Sequence, residues 1–295
     1  IYISIITLLA KGALLKAAFL CCEIISLSSQ DDLEQQLQKK YGGGFELVTW
    51  SRLPHGSGLG TSSILSGAVM AVLWQVSGHK FNLQSLNHAV LHLEQMLTTG
   101  GGWQDQVGGL TGGLMLAYSP AQVPVHISVD QIKLSKEALD AFNSRLLLVY
   151  TGKTRLARNL LQNVVRNWYA RNPEIVDTED GLVENAKRCA QALEAGDLEA
   201  VGTCINTYWE QKKKMAPGCE PATVRAMMDA LQPHVYGVSL AGAGGGGFMY
   251  MLTREPNVRD MVQKVLQQVP GTDSISIHTA EVDIQGLEIS QEESS

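Results

Sequence analysis

The stretch Pro54-His55-Gly56-Ser57-Gly58-Leu59-Gly60-Thr61-Ser62-Ser63 follows an alternating apolar segment, Phe45 to Ser51. It precedes a helical pattern carried by Ile64, Leu65, Ala68, Val69, Val72, Leu73 and Val76. The spacing therefore predicts a strand, a glycine-rich turn and a helix start in succession. Glycines at 56, 58 and 60 let the backbone take positive φ and approach a ligand closely. Thr61 and Ser62 open a helix whose first N–H groups have no internal partner. A nucleotide phosphate fits such a place, although a plain turn closed by a Ser/Thr cap has the same composition.

Two better-known phosphate patterns fail here. The dinucleotide fingerprint G-x-G-x-x-G is broken because position 61 is Thr, and Gly152-Lys153-Thr154 lacks the preceding glycine of a P-loop, that position being Leu147.

A second glycine-rich run, Gly100 to Gly109, follows a helix that starts at the N-cap Asn82 and runs through Leu83, Leu86, Val90, Leu93 and Leu97. Glu94 stands late on that helix, and Asp105 is expected in the glycine loop. Phosphoryl transfer needs oxygen ligands for Mg²⁺ and a carboxylate near the attacking hydroxyl, and these two residues can supply both. Glu94 reads equally as a solvated charge beside an apolar stripe, and Asp105 as a turn-former. The third run, Ser239 to Gly247, contains four consecutive glycines, each costing roughly 0.5–1 kcal/mol of backbone entropy relative to alanine. Close approach to a ligand justifies that cost, and so does a crowded strand crossing. Lys153 and Arg155 are candidate phosphate cations.

With 295 residues, 45% of them hydrophobic and 18% charged, the chain is long enough for one large or two ordinary folded domains. Its net charge of -6 argues against nucleic acid as a partner and favours a small, metal-neutralised anion. Five cysteines without a C-x-x-C pair read as reduced thiols in the cytoplasm. Lys11 and Lys16 interrupt the apolar N-terminal stretch, so no membrane partner is expected. His88 and His92 lie one helical turn apart without a third zinc ligand at a sensible spacing. Lys212 to Lys214 are expected on a solvated helix face, and the pairs Trp168-Tyr169 and Tyr208-Trp209 in packing.

Helices are predicted over Gly12 to Ser28 and Asp31 to Lys40. Strands follow at Leu114 to Tyr118, Val123 to Val129 and Arg145 to Tyr150, then a helical stretch from Thr154 to Leu231. A strand after Gly237, Gly247 to Leu252, a helix around Val258 to Gln267 and a strand near Ser274 to His278 complete the chain. A β-rich half followed by helices and a β-α-β ending gives an α+β fold, with domains expected at 1–150 and 151–295.

The order L-P-H-G-S-G-L-G-T-S-S, G-G-W-Q-D-Q, S-L-A-G-A-G-G-G-G resembles the GHMP family of small-molecule kinases. Longer matches at Leu14 to Phe19, Gly42 to Glu46, Thr151 to Gln162, Asn167 to Arg171, Tyr208 to Lys213 and Met215 to Pro221 liken it to the branch acting on L-fucose. The resemblance implies the GHMP kinase fold: a ribosomal-protein-S5-domain-2-like N-terminal half, here lacking its first strands, and a ferredoxin-like α/β C-terminal half. It implies transfer from ATP to the anomeric hydroxyl of L-fucose, giving L-fucose 1-phosphate. Pro54, His55, Gly56, Ser57, Gly58, Leu59, Gly60, Thr61, Ser62 and Ser63, with Gly242, Ala243, Gly244, Gly245 and Gly246, would hold ATP. Ser62 and Glu94 would hold Mg²⁺, and Asp105 would act as base. A kinase for another sugar, such as a heptose phosphate, and a nucleotide-binding fragment without turnover are the alternatives.

Overall fold

The computed structural model describes residues 12–54, 56–97, 101–152 and 158–291. Two compact units form. The first draws on residues up to Leu53, on Gly60–Gly112 and on the segment from Gln285, and the second on Pro54–Leu59 and Gly113–Ile284. The chain passes from one to the other within the first glycine run, between Leu59 and Gly60.

Among its described residues the regular elements of the first unit are all helices: α1 (Ala13–Cys21), α2 (Leu33–Tyr41), α3 (Thr61–Val76), α4 (Leu83–Met96) and α5 (Gln104–Thr111). Asp32 and Asn82 form capping boxes with Gln35 and Ser85, which fixes where α2 and α4 begin. Ala17, Ala18, Met70, Leu73, Leu86, Leu93 and Leu110 make the buried centre. Glycines inside two helices bring α3 and α5 together. A Cβ on Gly67 would run into the Leu110 side chain, and one on Gly109 into Ile64.

Helix α1 ends well before the predicted Ser28. Glu23 takes φ 54°, its N–H donates to Leu20 O at 3.0 Å, and Ile24 N–H donates to Phe19 O at 3.0 Å. That is a left-handed helix stop built on Glu where the sequence rule looks for Gly. The strand predicted over Phe45 to Ser51 is also absent. The segment alternates, with Phe45 and Leu47 packed on the core and Val48 and Trp50 at 70% and 77% exposure, yet no described strand pairs with it. A strand needs a neighbour for its N–H and C=O groups, which alternation alone does not provide. The predicted β-rich first half therefore has helices and no strand up to Thr111 among the described residues.

The second unit opens with β1 (Leu114–Tyr118) and β2 (Ser128–Ile132), antiparallel with Leu114 opposite Ile132. The second strand starts later than predicted because Pro120 and Pro124 have no N–H to give a ladder. An unforeseen helix, α6 (Lys136–Asn143), is capped by Ser135. Then come β3 (Leu146–Tyr150), α7 (Arg158–Tyr169), α8 (Pro173–Glu194), α9 (Leu198–Met215) and α10 (Ala222–Leu231). β4 (Val235–Leu240), β5 (Phe248–Thr253), α11 (Arg259–Leu266) and β6 (Ser276–Thr279) follow.

Strands β4, β5, β3 and β6 form one antiparallel sheet in that order. With helices between β3 and β4 and α11 between β5 and β6, this is the ferredoxin-like arrangement. Leu147, Val149, Met227, Leu231, Leu240, Met249, Met251 and Leu266 fill the space between sheet and helices. Helix α9 seats on the edge strand β4 where two glycines meet, since a Cβ on Gly237 would strike the Gly202 backbone. The Asn206 amide donates to Tyr236 O at 2.9 Å and accepts from Val238 N–H at 3.1 Å.

Candidate functional site

The site residues fall into two groups, one in each unit. In the helical unit, α3 begins at Gly60, whose φ of 64° suits a residue without a side chain. Thr61, Ser62 and Ser63 are its first three residues. Ser62 is exposed and Ser63 is buried. Ser63 Oγ donates to Glu94 Oε1 at 2.6 Å, so Ser63 is a direct partner of Glu94.

Glu94 is only 5% exposed, which rules out a solvated charge. A carboxylate buried to that extent needs donors or a cation. Oxygen ligands of this kind, a carboxylate with adjacent hydroxyls, suit a hard cation such as Mg²⁺. Among the described residues no group of three or more His, Cys, Asp or Glu side chains could hold a metal, and the His88/His92 pair forms no such centre. Mg²⁺ sites completed by phosphate oxygens need one or two carboxylates, so the residues present fit.

Asp105 does not lie in a loop. It is exposed in the first turn of α5, where the helix N-terminus favours a negative charge. Val107 and Leu110 drive this helix into the core, and Gly109 leaves it thin enough to pack against Ile64. A Cβ on Gly60 would meet the Asp105 side chain, so the start of α3 and the start of α5 touch. Next to Asp105, Gln106 is fully buried, and neither amide atom finds a hydrogen-bond partner among the described residues. Sequence reading passed over Gln106 because its neighbours are glycines and polar residues, with no apolar pattern to mark it as buried.

In the mixed unit, which also holds Pro54 and Leu59, Gly56, Ser57 and Gly58 lie against the third glycine run; His55 is outside the described residues. Gly56 and Gly58 have φ 72° and 79°, and Gly242, Gly244, Gly245, Gly246 and Gly247 have φ 62°, 89°, 83°, 146° and 86°. A Cβ on Gly58 would stand 2.8 Å from Ala241 O, and one on Gly242 would stand 2.8 Å from Gly58 Cα. Phe248 N–H donates to Ser57 O at 2.8 Å, and a Cβ on Gly247 would strike that same carbonyl. Crowding thus does require glycine, but the crowding partner is the first glycine segment. Gly245 N–H donates to Cys219 O at 2.6 Å. The N–H groups of Gly242, Ala243, Gly244 and Gly246 donate to no described group. Successive free N–H groups in turn conformations make a concave anion site with fixed partial positive charge.

One basic residue differs from expectation. Lys212 is not on a solvated face: it is 7% exposed, and its Nζ donates to Leu240 O at 3.1 Å and to Gly242 O. It continues the apolar stripe of Val201, Cys204 and Tyr208 at helical spacing, a signal the run of three lysines concealed. Lys213 pairs with Glu210 and Glu220, and Lys214 is exposed. Burial pushes the Glu220 carboxyl up, but hydrogen bonds from Arg225 and Trp209, with Lys213 nearby, outweigh it and hold the group below the usual range. Trp209 is buried as expected, and Tyr169 is exposed. Lys153 and Arg155 lie outside the described residues.

The GHMP kinases N terminal domain matches residues 31–113, and the GHMP kinases C terminal domain matches 189–270. The chain is 35% identical over 225 residues to the bifunctional fucokinase/GDP-fucose pyrophosphorylase of Arabidopsis thaliana, covering 76% of this chain and 21% of that protein. It is 34% identical over 262 residues to the L-fucokinase/L-fucose-1-P guanylyltransferase of Bacteroides fragilis, covering 88% and 27%. The chain therefore spans about a quarter of the length of these curated relatives. Its fold is similar to that of L. major mevalonate kinase, solved in complex with R-mevalonate. There the TM-score is 0.56 at 18% identity, over 77% of this chain and 66% of that one. Two family domains in the right order, a ferredoxin-like sheet and a backbone cradle assembled from the family's glycine segments lead to one conclusion: the chain belongs to the GHMP kinase family.

Proposed function

We propose that this chain carries the kinase activity of a protein that transfers the terminal phosphoryl group of ATP to the anomeric hydroxyl of L-fucose, giving L-fucose 1-phosphate and ADP. The observation that carries the reading is the backbone-to-backbone packing of Gly58 against Ala241 and Gly242, which lines one place with N–H groups and excludes side chains. Identity of 34–35% to two fucokinases supports the sugar.

In the mixed unit, the N–H groups of Gly242, Ala243, Gly244 and Gly246 and the loop Gly56–Leu59 bind phosphate oxygens. In the helical unit, Thr61 and Ser62 present the first N–H groups of α3, and Ser62 and Glu94 hold the metal. Bound Mg²⁺ supplies neutralisation of phosphate charge. Asp105 accepts or orients the proton of the anomeric hydroxyl while that oxygen bonds to the γ-phosphorus and the bond to the ADP oxygen breaks. Ser63 holds the Glu94 carboxylate through its hydroxyl. We place the border between the family's two halves near Thr151, within the interval between the two matched segments. We place the protein in the cytoplasm, in keeping with five free cysteines; none of the described helices is long and apolar enough to cross a membrane.

The test is ADP release from Mg-ATP with L-fucose, D-galactose, D-mannose and a heptose 7-phosphate, with the product identified by phosphorus NMR. Fucose-dependent release with a sugar 1-phosphate product supports the reading. Preference for the heptose phosphate, or binding of Mg-ATP without turnover on any sugar, overturns it.

A further inference from the structure

We propose, on the reading just given, that Lys212 is a positioning residue: from α9 it sets the peptide planes of the third glycine run, so that the run's N–H groups are presented to phosphate. A loop of glycines has no side chains with which to hold itself, and each residue has wide φ/ψ freedom. Its shape must come from polar contacts made by its surroundings.

Lys212 Nζ takes the carbonyls of Leu240 and Gly242, two peptide units apart. A trans peptide is planar with C=O and N–H opposed, so drawing the Gly242 carbonyl toward α9 turns the Ala243 N–H away from it. The other plane behaves in the same way: with Leu240 O held on the lysine, Ala241 N–H donates to Phe248 O at 2.9 Å. Residues just C-terminal to Lys212 complete the brace. Cys219 O accepts from Gly245 N–H, and a Cβ on Gly244 would stand 2.7 Å from Cys219 Cβ.

The ammonium group also lies 5.3 Å from the Tyr208 ring centre and 5.7 Å from that of Trp209. Burying a cation is costly, and replacing such a group with a well-packed apolar residue is often neutral or stabilising. A role in loop geometry accounts for a lysine at a position where methionine would fill the same space.

The test is titration calorimetry of Mg-ATP into the whole chain, alongside thermal unfolding, for the wild type, Lys212→Met, Lys212→Gln and the exposed control Lys214→Met. Affinity for Mg-ATP is expected to fall at least about tenfold in Lys212→Met, and less in Lys212→Gln, which keeps a donating NH2 group. Lys214→Met is expected to bind like the wild type. Amide hydrogen exchange across residues 241–247 should rise in the two Lys212 variants at a temperature where both remain folded.

If folded Lys212→Met binds Mg-ATP like the wild type, the inference is overturned while the kinase reading stands. An equal loss in Lys214→Met overturns it too, because the effect would then be one of general charge. If neither Lys212 variant folds, the residue is structural and the inference fails. A wild-type chain that does not bind Mg-ATP refutes the kinase reading itself, and this inference with it.

Discussion

The Cβ that any residue but glycine would carry at position 60 lies 2.8 Å from the Cβ of Asp105. The contact ties the first residue before α3 to the first turn of α5, and it makes Gly60 a spacer for the carboxylate as well as a bend in the chain. Gly60→Ala is expected to lose stability on two counts: a left-handed backbone costing an L-residue about 1–2 kcal/mol, and a displaced Asp105. Unfolding in urea should show a loss of that order or somewhat more, and sugar-dependent turnover should fall further than stability alone accounts for.

Asp105→Asn removes the proton acceptor and keeps the shape. Mg-ATP affinity is expected to stay within about a factor of two of wild type while phosphoryl transfer drops by about 100-fold or more, the usual scale for a general base. Calorimetry and a coupled ADP assay measure the two separately. Undiminished turnover would strip Asp105 of its assigned role.

Ser63→Ala takes from buried Glu94 a hydrogen bond of 2.6 Å. Bonds to charged groups contribute about 1.5–3 kcal/mol, so urea unfolding should detect a loss within that range. If the carboxylate also serves the metal, the Mg²⁺ concentration giving half-maximal activity should rise. A variant as stable as wild type, with unchanged Mg²⁺ dependence, would show the contact to be incidental.

Burial pushes the Cys21 thiol up to about 11 and the Cys189 thiol up to about 11. Burial, with Cys21 beside it, pushes Cys22 up to about 12. The thiolate is the reactive form, so these thiols should react slowly with Ellman's reagent at pH 8 until the chain is unfolded. The sign for stability follows from linkage. An unfolded thiol ionises near 9.0 and the folded ones near 11–12, so the contribution is intact below pH 9 and is lost as pH rises through that window. Chevron or melting data between pH 8 and 11 should show falling stability, and Cys22→Ala should flatten part of the slope.

Much of this was legible in the chain. Asn82 announces its helix through a polar cap, and β1 matches its prediction at both ends, because both signals are local. The errors came where the outcome depended on distant partners. Phe45 to Ser51 alternates like a strand, but no described strand hydrogen-bonds to it. Asp105 reads as a loop residue because the glycines around it look like breakers, whereas the small size of Gly109 is what lets α5 press on Ile64. Lys212 reads as a surface cation because its destination, the carbonyls of Leu240 and Gly242, lies about thirty residues away. Glu94 could be nominated from its position, but its burial could not be foreseen.

The amide of Asn206 closes the outer margin of β4 by occupying Tyr236 O and Val238 N–H. An unclosed strand margin is a template on which foreign chains can stack. At this stretch of a sheet that is otherwise rich in Val, Leu and Met, one side chain thus takes two of the backbone groups on which an intruding strand would have to pair.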